Sequence, residues 1–189
     1  LGCFYLGFHL WLYALLMGYV EVNGEGSVGW SLGAPTWRKK SKIYSAVMNG
    51  KELTGYHLAM FFLPLISLFS VFVFDRYWSG EWRLLTGEHV AEFLAWYLMM
   101  SVNWDFIWFL TNPFFGLKRF RKGEVHWHRK WIGRVPVDYV GGLVIAAILI
   151  SVAGLLLGAE SGIWLRQAVI LGTLLTGTFL TALLGPAIQ

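Results

Sequence analysis

Five side chains able to do acid–base or ligand chemistry, His57, Asp105, His126, His128 and Asp138, come from three separate parts of this chain. Asp105 sits in an otherwise apolar run (SVNWDFIWFLT), where an ionised carboxylate costs a few kcal/mol and so faces a helix-bundle interior and has a partner. At 100° per residue, Ser101, Asp105, Trp108 and Asn112 fall on one helix side. Such an acid suits a general base or metal ligand, with His57 as a second catalytic group. The alternative is a buried partner for His57 or for a basic loop residue.

His126 and His128 flank Trp127. In an extended segment both imidazoles point the same way and could grip one ion; in a helix they diverge by about 200°. With Cys3 as the single cysteine, no thiolate cage is available. A metal held by His57, Asp105, His126, His128 and Asp138 would have mixed N/O ligation, which suits Zn²⁺, Fe²⁺ or Mn²⁺. The five histidines form no HxxxH, HxxHH or HExxH pattern. Leu1-Gly2-Cys3 resembles a lipoprotein cleavage box, but cleavage there would leave Cys3 first, so it reads as a plain membrane cysteine.

A second polar group, Glu88, His89 and Glu92, lies at helical spacing, with His9 able to reach a similar depth. Glu92, one turn into its apolar run, reads as a snorkelling, partly wet carboxylate. The alternative is a ladder of Glu92, Asn103 and Asp105 that passes protons or ions. A third group is basic: Arg119 and Arg121 alternate with phenylalanines, and Arg129 follows. These are expected to hold an anionic headgroup at the membrane surface.

The elements that must position these residues follow from composition. Of 189 residues, 57% are hydrophobic and only 14% charged, with mean hydropathy +0.57; a soluble domain is nearer a quarter charged. Five stretches, near residues 3–20, 55–74, 89–111, 137–158 and 163–187, approach or reach the roughly 20 residues that cross a hydrocarbon core. Twelve of the fifteen basic residues fall in loops 21–54 and 112–136; Arg76, Arg83 and Arg166 are the rest. The positive-inside rule then puts both loops in the cytoplasm, the N-terminus outside and the C-terminus inside.

Asp105 is about sixteen residues into its span, roughly 24 Å down at 1.5 Å per residue, at the cytoplasmic end where the other four groups also lie. Net charge +4 beside apolar segments points to anionic lipid rather than nucleic acid. Small residues four apart (Gly142/Ala146, Ala147/Ser151, Gly154/Gly158, Gly172/Thr176, Gly177/Thr181) allow close helix packing. Trp30, Trp37, Trp78, Trp82, Trp127, Trp131 and Trp164 near span ends read as interface anchors. The Gly-rich half of loop 21–54 reads as irregular, and residues 37–48 as a short amphipathic surface helix.

The expected fold is therefore all-α: a single domain, 1–189, forming a five-helix multi-pass bundle of a cytoplasmic or inner membrane. The expected activity is a small membrane enzyme acting on a lipid or other amphiphile at the cytoplasmic leaflet. The alternatives are an ion or proton transporter using Glu92, Asn103, Asp105 and His57, and a non-catalytic subunit of a homo-oligomer or larger membrane complex.

Overall fold

Helix α4 (Gly87–Thr111) is the element on which the others pack. In a computed structural model describing residues 2–29, 32–47, 51–78, 80, 86–158 and 162–188, two-thirds of its apolar stretch is buried, against a fifth to a third for the other long helices. Trp30, Trp82 and Arg83 lie outside the described residues. The others are α1 (Gly2–Glu25), α3 (Gly55–Trp78), α6 (Val137–Leu157) and α7 (Ile163–Ile188). The chain is mostly helical, and these five helices are long and apolar enough to span a membrane. Short α2 (Lys42–Val47) and α5 (Gly116–Arg119) lie in the two basic loops.

Helices α1, α6 and α7 close around α4, and the fully buried Leu10, Trp96, Met100, Ile107 and Ile170 fill the space between them. Close approach needs small residues at particular points. A Cβ on Gly177 would fall 2.3 Å from the Trp11 ring, and one on Gly142 would fall 2.9 Å from Val102. Gly172 and Thr176 instead face outward, so that pair is not a packing stripe. Helix α3 stands further off, touching α4 lightly. Its Pro64 has no N–H for the fourth preceding carbonyl, and Tyr97 of α4 donates to the neighbouring Phe61 carbonyl at 3.0 Å.

Two helices run further than their hydropathy predicts. Helix α1 continues to Glu25 because Glu21 and Glu25 turn into the bundle, where buried polar partners tolerate them. Helix α3 continues to Trp78 and carries Arg76, expected in a loop, as a buried side chain. Among the described residues of 37–48, Lys42–Val47 are helical. Arg38–Lys39 (β1) instead pairs antiparallel with Leu53–Thr54 (β2).

The second basic loop is folded rather than draped over a surface. Asn112 ends α4: its side chain accepts from the Phe114 N–H at 2.9 Å and donates to the Gly26 carbonyl at 3.0 Å, tying the two loops together. Trp108, Phe109, Phe115, Val125 and Trp127 form a small aromatic core beneath the loop. Trp127 is thus a core residue, not an interface anchor, because its ring stacks on Phe109 and meets Trp108 edge-on. Trp131–Ile132 (β3) and Val135–Pro136 (β4) then form a hairpin whose two-residue turn has Gly133 at φ +60°. This reversal sends the chain back into α6 beside His128.

Candidate functional site

His128 is the best-held ionisable group at the basic-loop end. The hairpin places it beside the first turn of α6, and Trp131 Nε1 donates to its carbonyl at 2.7 Å. Its side chain is 2% exposed; Nδ1 meets Asp138 Oδ2 at 2.7 Å and Nε2 meets Asp105 Oδ2 at 3.2 Å. Both ring nitrogens facing carboxylate oxygens describe an imidazolium donating twice. Burial alone would lower the His128 pKa, but the hydrogen bonds and charges of Asp105 and Asp138 outweigh it and raise it to about 9. Tyr139 Oη also donates to Asp105 in a short hydrogen bond. Asp138 is half-exposed and lies in the first turn of α6.

A second cluster sits where α1 ends and α3 begins. Glu21 and Glu25 are one turn apart on α1 and both buried. Trp104 Nε1 of α4 donates to Glu21 Oε2 at 2.7 Å. Thr54 caps α3, accepting the His57 backbone N–H at 3.0 Å, and its Oγ1 also lies 2.8 Å from His57 Nδ1. The other ring nitrogen, Nε2, faces Glu25 Oε1 at 3.4 Å. Lys51, in the adjoining loop, is held below the ordinary lysine range by burial, against the opposing pull of Asp105, Asp138, Glu25 and Glu21.

One cavity joins the two clusters. It has a volume of about 580 Å³ and lies where α3 stands off α4. Leu58, Met60, Phe61 and Phe62 form its apolar side, and Glu21, His57, Ser101 and Asp105 its polar end. Leu58, Phe61 and Phe62 are also exposed on the outside of the bundle, so the cavity lies at the periphery. Asp105 faces the cavity and reaches, through His128, the half-exposed Asp138. Each N–H of the imidazolium can pass its proton to the carboxylate it faces, so His128 can supply a proton towards the cavity through Asp105 or towards solvent through Asp138.

The five residues expected to share one ion do not meet at a point. His128 spends its two nitrogens on two different carboxylates, and His126 is exposed against the edge of Trp127. The turn at residues 126–127 is neither strand nor helix, so the two histidines part. His57 pairs towards Glu25 rather than Asp105. Arg119 and Arg121 both bind Glu124, Arg119 also lies over the Phe115 ring, and neither they nor the exposed Arg129 line the cavity. Arg119 and Arg121 are therefore engaged with their own loop.

The ladder residues also separate. Glu92 is fully buried, not snorkelling: Arg76 pairs with it in a short contact, Gln167 Nε2 donates to it at 2.7 Å, and Arg166 Nε lies 3.5 Å away. His89 lies 3.3 Å from Arg76, whereas His9 lines a different cavity. Asn103 accepts from Thr178 of α7, and the cavity it lines includes neither Glu92 nor Asp105.

Glu21, Glu25, Trp104 and Tyr139 were not anticipated from sequence. The signal for the first two was available: two acids four apart, directly after an apolar run, extend a helix as readily as they end it. Trp104 adjoins Asp105 and was masked by the abundance of tryptophan. No family model matches the chain, and no curated protein or solved structure matches it significantly.

Proposed function

We propose that the chain is a small multi-pass membrane enzyme that acts on the polar end of an amphiphile held in the cavity between α3 and α4. The loop charges favour an orientation with the N-terminus outside and the site at the cytoplasmic leaflet. The observation that carries this reading is the cavity: an apolar side at the bundle's periphery leading to Glu21, His57 and Asp105. Ligand sites are typically concave and mostly apolar with a few convergent polar groups. A lipid chain entering from the bilayer would lie along Leu58, Phe61 and Phe62, with its head against the acids.

In this reading Asp105 is the general base. It is oriented by His128 and Tyr139, which both donate to it, and the proton it takes is returned to the product or to water in the cavity. The polar end carries more acid than base, so it suits a neutral or cationic head (hydroxyl, amine) better than a phosphate. That replaces the anionic headgroup expected from the arginines. The Glu92 cluster, with its charges internally paired, supports a structural role rather than a transport path.

Amphiphile carried through purification in nanodiscs, quantified by mass spectrometry, tests the reading. Ser101→Trp places a ring in the cavity beside Asp105 and is expected to abolish the bound amphiphile while the helical signal is kept. Equal occupancy in wild type and variant would refute it. With a turnover assay, Asp105→Asn is expected to cost about 10²–10⁴-fold in rate, the usual share of a general base.

A further inference from the structure

We propose that Glu21, Glu25 and His57 bind one divalent transition-metal ion, of the Mn²⁺, Fe²⁺ or Zn²⁺ class, at the polar end of the cavity. Among the described residues, theirs is the group of three ligand-type side chains whose donor atoms all lie within 4.8 Å of one another. Three donors about 2.0–2.2 Å from a shared ion and spread evenly around it stand about 3.8 Å apart at most, so an adjustment on the order of 1 Å, within reach of two flexible glutamate side chains, closes the site.

The two histidine–acid pairs of this protein differ in a telling way. His128 Nδ1 lies 2.7 Å from Asp138, a charge-assisted hydrogen bond. His57 Nε2 and Glu25 Oε1 are 3.4 Å apart, long for such a bond between buried groups and normal for two ligands of one ion. The surroundings resemble a ligand's support. Thr54 Oγ1 can accept Nδ1–H of His57, which leaves the Nε2 lone pair facing Glu25, and Trp104 fixes one oxygen of Glu21. Metal-bound histidines nearly always have their second nitrogen held in this way.

Charge argues the same. A dication between the buried Glu21 and Glu25 would offset the cost of holding two carboxylates away from water. One imidazole and two carboxylates, with no sulfur, select the harder first-row ions. Three protein ligands leave a position open towards the cavity, where a substrate hydroxyl or water could bind.

This deepens the enzyme reading at the same cavity, and its test needs no amphiphile. The full chain in nanodiscs, stripped with chelator, is titrated with Mn²⁺ and followed by electron paramagnetic resonance, with Zn²⁺ as competitor. The expected result is one Mn²⁺ per chain, displaced by Zn²⁺, with a nitrogen-14 coupling from one imidazole. Glu25→Gln and His57→Gln are expected to weaken binding at least tenfold, and the surface variant Glu124→Gln to leave it unchanged. No saturable binding, or unchanged affinity in both ligand variants, overturns the proposal. If either variant fails to fold, the wild-type spectrum decides: absence of the nitrogen coupling overturns it. A chain that keeps its amphiphile but binds no ion loses this proposal alone.

Discussion

The two ends of α4 each hold an acid, and they treat it differently. Near its start, Glu92 is enclosed by Arg76, Arg166 and Gln167, with Trp96 donating to Gln167 and Arg166 lying over the Trp96 ring. Cations there match or exceed acids, and Glu92 is 1% exposed. Near its end, Asp105 is 37% exposed and looks into a cavity that Glu21 and His57 also line. The first arrangement spends its polar groups on one another and so fastens α3, α4 and α7. The second leaves acids where another molecule can reach them. Burial of charge in an apolar bundle is thus no guide to function until the partners are counted.

The sharpest way to break this contrast is to remove each acid in turn. Glu92→Leu leaves Arg76 and Arg166 without their shared carboxylate, and truncating one partner of a buried pair costs about 3–5 kcal/mol. Asp105→Asn keeps the shape, retains a hydrogen-bond acceptor and lies beside a cavity, so about 1 kcal/mol is expected. Reversible unfolding in mixed micelles measures both. Equal losses would mean that the two ends do the same structural work.

The next effect is a pH dependence confined to one end. His128 is raised from 6.5 to about 9 in the fold, so the protonated form is the one that folding favours. Its contribution is fully present below pH 6.5 and is lost as pH rises through about 9. A shift of that size corresponds to at most about 3 kcal/mol, and the half-exposed Asp138 reduces it. Stability measured from pH 6 to 10 is expected to fall across this window in wild type and to lose that fall in His128→Asn. A histidine ring titration by NMR that places His128 near 6.5 would remove the imidazolium from the site.

How far these features could be read from sequence depended on what kind of information each needs. Hydropathy is additive along the chain, so the five long helices were legible. Which partner an acid finds is a matter of helix rotation and offset, and that is not additive. Asp105, His128 and Asp138 were legible as neighbours in depth. That His128 would bridge the two acids depended on a hairpin turned by Gly133. Arg76 was assigned to a loop because a charge ends an apolar run in any hydropathy count; its burial depends on Glu92, sixteen residues further along the chain in the next helix. Glu21 and Glu25 were misread for the same reason.

The smallest effect expected is also the most discriminating, because it applies one chemical change to both ends. Trp96 and Trp104 each use the indole N–H on a polar partner, Gln167 Oε1 at 3.1 Å and Glu21 Oε2 at 2.7 Å. Replacing either by Phe deletes the donor and some ring volume. Trp96 is wholly enclosed, so Trp96→Phe is expected to act on stability. The lost interhelical hydrogen bond contributes about 0.6 kcal/mol, and the smaller ring adds to the cost. Trp104→Phe frees a glutamate that the proposed ion uses. It is expected to weaken Mn²⁺ binding about tenfold, or about 1.4 kcal/mol, whereas Trp96→Phe leaves that affinity unchanged. The readout therefore separates positioning from packing. A stabilising tryptophan changes how hard the bundle is to unfold, and a tryptophan that orients a ligand changes what the folded bundle holds. If the two variants shift ion affinity alike, Trp104 is a packing residue, and the acid-rich end is built on the same principle as the closed one.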